Sequence, residues 1–243
     1  MENGKYEGEV KIKTPLLSWL ENFWYHYKWY TIVGAFLVFA FVVLSLQMCS
    51  KTSFDAHIIY AGNHEIKRVS DDGDTSPYNK MLGELKLAVG DTDGDGTVNI
   101  DLRDLFVVND AEAEELVGSL DGYEINENLV KEDSETLYQL MLMSDYYVCF
   151  LSERLYTEYS AQYSGLFEPI AKYAAEDGEY VYLDECAIYL NSVGDFATMP
   201  EISRLPSDTV ICLRSLSEMS EMRYKDTFKE AEDIVRNILA FER

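Results

Sequence analysis

Histidine and cysteine are scarce in this chain, with three of one and four of the other in 243 residues. Neither type clusters. There is no CxxC pair and no His/Cys group at metal-ligand spacing, which excludes an ordinary thiolate zinc centre. Cys49 ends the long apolar run, Cys149 and Cys212 lie inside apolar strand-like stretches, and Cys186 stands apart. A Cys186–Cys212 or Cys149–Cys186 disulfide is open on sequence grounds, with buried free thiols the reading preferred. Basic residues are also few, 20 against 44 acidic, leaving a net charge of −24. Nucleic-acid affinity rests on neutralising phosphates with Lys and Arg, so nucleic acid is excluded as a partner. The same surface is repelled by anionic headgroups and attracts cations, although acidity also simply keeps a displayed domain soluble.

Charge is absent altogether between Lys28 and Lys51, over the 22 residues WYTIVGAFLVFAFVVLSLQMCS. As a helix this run measures about 33 Å, enough to cross a hydrocarbon core of roughly 30 Å. All three tryptophans, Trp19, Trp24 and Trp29, sit on its N-terminal flank among Phe23, Tyr25, Tyr27 and Tyr30, where amphipathic rings meet headgroups. Thr14-Pro15 reads as an N-cap with proline at the first helical position. Leu16, Leu20, Phe23 and Tyr27 then recur at helical spacing. Residues 15–28 are thus expected as an amphipathic helix, either lying in the interface or running straight into the span. No small-x-small cleavage site follows the run, which favours an uncleaved signal anchor, and Leu46-Gln47-Met48 is a poor approach to a lipidated Cys49. Lys11, Lys13 and Lys28 outnumber Lys51, which sets the N-terminus in the cytoplasm. The expected organisation is a cytoplasmic tail with its interfacial helix (1–28), a transmembrane helix (29–50) and an acidic extracytoplasmic domain (51–243) in the cell membrane. Residues 1–50 carry equal numbers of lysines and acids, so the whole net charge belongs to that domain.

Within the domain, strands alternate with helices. Phe54–Tyr60 reads as a first strand. Ser76-Pro77 starts a helix bearing Tyr78, Met81, Leu82, Leu85 and Val89, closed by Gly90. Val98, Ile100 and Leu102 alternate with polar neighbours as a second strand. The acidic stretch Ala111–Asn128 carries no clear period. From Ser134 a helix leads into Tyr146–Leu151, apolar on both faces and therefore expected as a buried parallel strand. Ser152 caps a further helix, Cys186–Leu190 and Thr209–Arg214 follow as strands, and an amphipathic helix with Phe228, Val235, Ile238 and Leu239 closes the chain. The pattern implies a single α/β domain with a mostly parallel mixed sheet.

The order helix, MSDYYVCFLSE, helix, GLFEPI, strand, SDTVICLRS, final helix resembles a family of single-pass membrane proteins from Firmicutes. Their exterior domain is similar to one lobe of type II solute-binding proteins. The resemblance covers most of 54–243 and rests on the apolar strand Tyr147–Leu151 followed by the turn Gly165-Leu166-Phe167-Glu168-Pro169. It implies a solute-binding-like lobe. About 190 residues are too few for two lobes and the deep cleft between them.

The sharpest motif is Asp91-Thr92-Asp93-Gly94-Asp95-Gly96-Thr97. Carboxylates at alternate positions, a glycine for the tight turn and then a backbone carbonyl match the first half of a calcium loop. Asp91, Asp93, Asp95 and Thr97 are the candidate ligands for a structural Ca²⁺; the alternative is an acidic turn between helix and strand. Leu102 stands where the bidentate glutamate belongs, Asp101 lies about 13 Å beyond Thr97 along a strand, and the missing ligand would come from elsewhere, such as Asp71-Asp72-Gly73-Asp74. No GxSxG, reactive-cysteine context or phosphate-binding glycine loop is present. His57 and His64 read as a strand and a loop residue, and no catalytic residues are expected. Ten of the eighteen tyrosines lie between Tyr138 and Tyr189, rings that either pack or line an interface. The sequence therefore points away from an enzyme. It supports a binding or accessory module serving a transporter or other membrane-protein partner, its small-molecule ligand undetermined, or alternatively an assembly subunit of a membrane complex with no such ligand.

Overall fold

A computed structural model describes residues 15–49, 53–66, 76–92, 94–119, 124–175 and 178–242. The chain separates into two compact units, 1–52 and 53–243. The first is built on one helix, α1 (Pro15–Cys49), 35 residues without a break. It continues straight through Lys28, so the aromatic segment runs directly into the apolar one; Thr14 lies outside the described residues. Trp19, Phe23 and Tyr27 stack along one face at centroid separations of 5.6 and 5.3 Å. Between Trp19 and Ser45 the mean hydropathy is 1.8 and the helix is bare of packing. It is long and apolar enough to span a membrane, as a transmembrane span or signal anchor.

The second unit is an α/β domain on one mixed six-stranded sheet. Its strands are β1 (Ala56–Gly62), β2 (Ile100–Phe106), β3 (Val148–Ser152), β4 (Tyr182–Asp184), β5 (Ala187–Tyr189) and β6 (Thr209–Leu213), in the order β2-β1-β3-β6-β5-β4. β1 pairs in parallel with β2 and β3. The other three pairings, β3–β6, β6–β5 and β5–β4, are antiparallel. This corrects the expectation of a mostly parallel sheet. The physical reason is connectivity: β4 and β5 form a tight hairpin, which can join only antiparallel neighbours, whereas a parallel step needs a long crossover. Burial on both faces does not report direction, since β3 and β6 are both wholly buried and run opposite ways.

Among the described residues the α-helices of the domain are α2 (Pro77–Val89), α3 (Asp110–Ser119), α4 (Glu127–Met143), α5 (Glu153–Gln162) and α6 (Glu218–Leu239). α2 and α6 cover one sheet face, packing Met81, Leu85, Val235 and Ile238 on Ile58, Val148, Phe150 and Ile211. α4 and α5 cover the other, with Leu137, Met141 and Leu155 on Ile59, Cys149, Leu151 and Cys212. Local chemistry starts α2 and α5 as expected, whereas α4 begins at Glu127, ahead of the expected Ser134, because the Asn126 side chain accepts the Asn128 and Leu129 N–H groups. Ser76 Oγ accepts the Asn79 N–H at 3.2 Å ahead of Pro77, and Gly90 ends α2 at φ 75°. Ser152 Oγ accepts from Leu155 in the same way. The exposed edge of β2 is blunted at two points, where Tyr78 Oη donates to the Leu102 carbonyl (2.8 Å) and Asp133 accepts the Phe106 N–H (2.8 Å).

One buried cation organises the middle of the sheet. Arg214 is 5% exposed. Its guanidinium donates to the carbonyls of Met141 and Tyr146, both at 3.0 Å, and of Ser144, while lying over the Tyr147 ring at 4.6 Å. Desolvation lowers its pKa from the usual guanidinium value, yet the group stays charged. A cation at these terminal carbonyls complements the helix dipole of α4.

Candidate functional site

Three constellations in the domain carry chemistry. The acidic loop is the first. Gly94 and Gly96, at φ 74° and 85°, curl the backbone so that their N–H groups donate to the two oxygens of Asp91 at 2.7 and 2.9 Å. Asp95 accepts from both the Thr97 N–H (2.7 Å) and its hydroxyl (2.6 Å). Asp93 and the Asp71–Asp74 stretch lie outside the described residues. The loop is stapled to β1 by Asp55, a carboxylate only 2% exposed. It accepts the Thr92 N–H (2.7 Å), the Thr92 hydroxyl (2.9 Å) and the Asn99 N–H (2.8 Å). Leu102, at the closing position, is buried in β2. The described part of the loop thus presents the oxygens of Asp91, Asp95 and Thr97 without a bidentate closing carboxylate. Among the described residues no three His, Cys, Asp or Glu side chains gather as a metal-binding group.

The second constellation joins residues that sequence spacing kept apart. On the α4 side of the sheet, His57 of β1, Asp101 and Arg103 of β2, and Tyr146 before β3 converge. Tyr146 Oη donates to Asp101 and accepts from Arg103 Nε at 2.8 Å. His57 Nδ1 lies 3.8 Å from Asp101, its ring edge-on to Tyr146 at 5.0 Å. Burial first, and the bond to Asp101 second, push the Tyr146 phenol up to about 12. His57 is a strand histidine as expected, lying beside Asp101 without a hydrogen bond from Nδ1. Only the parallel register that sets His57 opposite Asp101 brings the group together.

The third is a groove of about 550 Å³ between α5, the Gly165–Pro169 turn and the β4–β5 hairpin. Gly165, at φ 76°, reverses the chain after α5. Phe167 bridges to Arg214, Glu168 N–H donates to the Leu213 carbonyl (2.8 Å) and Ile170 N–H to the Glu185 carbonyl (2.9 Å), so the turn is clamped to the sheet at both ends. Tyr156, Tyr163, Phe167 and Pro169 supply aromatic and apolar walls, and Asp184 and Glu185 supply charge. The Tyr156 and Phe167 rings pack at 4.9 Å. Tyr156 Oη donates to Asp184 at 2.7 Å, and the Cys186 N–H donates to the same carboxylate at 2.8 Å. Desolvation first, then the charges of Asp184, Glu185 and Glu168, raise the pKa of the Cys186 thiol.

A larger trough of about 860 Å³ runs between α3 and α4. α3 contributes no buried residue, so that wall is not held in place by packing. The third constellation has rigid walls and convergent polar groups, the usual marks of a small-ligand site. Asp91, Asp95 and Thr97 share one loop, and none of them lines this groove. Two of the tyrosines, Tyr156 and Tyr163, line it, whereas nothing in the spacing marked Asp184 or Glu185. Comparison with known protein families, curated proteins and solved structures found no match.

Proposed function

We propose that this chain is a membrane-anchored extracytoplasmic binding module. In this reading α1 crosses the cell membrane with the N-terminus in the cytoplasm, and the acidic domain docks a solute on behalf of a transporter or other membrane complex. It is a binder rather than an enzyme, a lobe similar to those of type II solute-binding proteins. The observation that carries the reading is the groove of about 550 Å³ walled by Tyr156, Tyr163 and Phe167 and clamped to the sheet through Phe167 and Ile170. Its size suits a small solute, and its mixture of rings and a few fixed polar atoms suits orientation and specificity. A thermal-shift screen of the intact protein in detergent against small solutes tests it. A reproducible rise in Tm that a Phe167→Ala variant loses is expected. No shift from any solute would sink it.

A second reading is an assembly subunit without a small-molecule ligand. It is favoured by the stacked, exposed Trp19, Phe23 and Tyr27 on α1, which suit packing against another membrane protein. Isolation from native membranes after mild solubilisation separates the two, since this reading requires a stoichiometric partner.

A weak structural calcium ion on Asp91, Asp93, Asp95 and Thr97 belongs to the same proposal. Without a bidentate closing ligand, affinity falls in the millimolar range of extracellular modules, about 10⁻⁴–10⁻³ M. Millimolar Ca²⁺ is expected to raise Tm and a chelator to reverse the gain; an unchanged Tm in both removes the metal from the account.

A further inference from the structure

We infer that the groove between α5 and the β4–β5 hairpin selects a small soluble organic cation carrying an ammonium group. The inference rests on the proposed binding role and adds the ligand class. The composition of the walls argues for it. The exposed Asp184 and Glu185 stand at one side and the half-buried Tyr163 ring at the other, over a floor of the buried Tyr156 and Phe167, and among the described residues neither Lys nor Arg lines the groove. Two cations on adjoining segments are engaged elsewhere. Arg214 is committed to the carbonyls of Met141, Ser144 and Tyr146. Lys172 is held by Glu168 at 2.8 Å and lies over the Tyr173 ring at 4.8 Å.

Asp184 is already oriented, accepting from Tyr156 Oη and the Cys186 N–H. A ligand therefore meets a carboxylate whose direction is set before binding, so little ordering remains to be done. The exposed part of the Tyr163 ring attracts an alkylammonium ion through its quadrupole, while Leu166 and Pro169 cover the methyl groups. An anion entering the same space would face two carboxylates and a domain that carries the chain's entire net charge of −24, so it is excluded. A neutral solute of equal shape would keep the apolar contact and lose the Coulombic part. Selectivity between charge and shape is thus the measurable signature.

The test uses the intact protein in detergent and two probes of nearly equal volume: choline, and its uncharged carbon analogue 3,3-dimethylbutan-1-ol. Calorimetric titration is expected to show choline binding at least tenfold more tightly than the alcohol, a gap of about 1.4 kcal/mol. Glu185→Gln, whose side chain is exposed and whose backbone contact to Ile170 is untouched, is expected to weaken choline several-fold and leave the alcohol unchanged. Raising salt should weaken choline alone. Equal binding of both probes overturns the ligand class while the groove stands as a binding site. Binding of neither, with Tm intact, overturns the groove itself. Asp184→Asn serves as the stronger variant only if its Tm matches the parent, because Asp184 also anchors Tyr156.

Discussion

Arg214 closes the carboxyl end of α4 by donating from Nη1 to the Met141 carbonyl at 3.0 Å. The same guanidinium reaches the Tyr146 and Ser144 carbonyls, so one residue of the strand end ties the helix, the turn and β3 together. Among the described residues no carboxylate meets it at hydrogen-bond distance, and backbone carbonyls and the Tyr147 face surround it instead. Arg214→Leu is expected to cost about 2–4 kcal/mol, because three carbonyls lose a charged donor in a buried site. Arg214→Lys should recover only part, since a single ammonium cannot match the planar fork. Urea unfolding of the two variants measures both; a variant as stable as the parent would remove this strut from the fold.

Asp55 is the corresponding strut for the acidic loop. Its carboxylate accepts three donors from Thr92 and Asn99 while almost fully buried. Asp55→Ala is expected to destabilise the domain by about 2–4 kcal/mol. It should also loosen the loop, raising amide hydrogen exchange at Thr92 and Asn99 more than in the core strands. Uniform exchange changes would instead mean that the loop has no local dependence on Asp55.

The cysteines give a chemical prediction. Cys149 and Cys212 face each other across β3 and β6, both wholly buried. Arg214 N–H donates to Tyr147 O at 2.8 Å and Glu153 N–H to Asp208 O at 2.9 Å. Since hydrogen-bonded pairs alternate along the ladder, Cys149 and Cys212 also form one, with Cα atoms about 5.5 Å apart. Their Cβ atoms are then too far apart for the roughly 3.8 Å that a disulfide needs. Cys149, Cys186 and Cys212 are free thiols. A Cys49→Ser chain denatured without reductant should titrate to three thiols. One thiol would reveal a crosslink.

Asp208 sets a pH dependence. Desolvation, with the negative charges of Glu112 and Glu153, raises its pKa above the usual carboxylate value, against partial relief from its own backbone and Arg154. The native state therefore holds this proton more tightly than the unfolded chain. Its contribution favours folding below the ordinary carboxylate pKa of 3.8 and is lost as pH rises through the elevated native value. Asp208→Asn is expected to raise Tm at neutral pH, with the advantage fading as pH falls toward 4. An advantage that instead grows on acidification would reverse the assignment.

Much of the fold was legible because its signals are local. The uncharged run from Trp29 marked the apolar helix, Ser76-Pro77 and Gly90 marked both ends of α2, and the apolar blocks around β3 and β6 marked buried strands. Three features were not. β4 has three residues, too few to show a period. α3 buries no side chain, so it leaves no apolar stripe to read. The directions of β5 and β6 depend on how the hairpin and the short helical turns after Tyr189 fold back, which apolar content does not encode.

The groove was partly legible in the same sense. The tyrosines stood out by number, and their spacing suited packing, which Tyr156 fulfils at 3% exposure. Asp184 and Glu185 are far from Tyr156 in sequence and meet it only because β4 and β5 fold back against α5. His57, Asp101 and Tyr146 likewise meet through strand register rather than spacing.

What the sequence determined by itself was therefore the apolar helix, the acidic balance, both ends of α2 and the start of α5, each a property of composition or of a few neighbouring residues. Strand direction, the seat of Arg214 and both polar constellations were decided by tertiary structure. They depend on contacts between residues tens of positions apart, and a charge or ring acquires its partner only when the sheet closes.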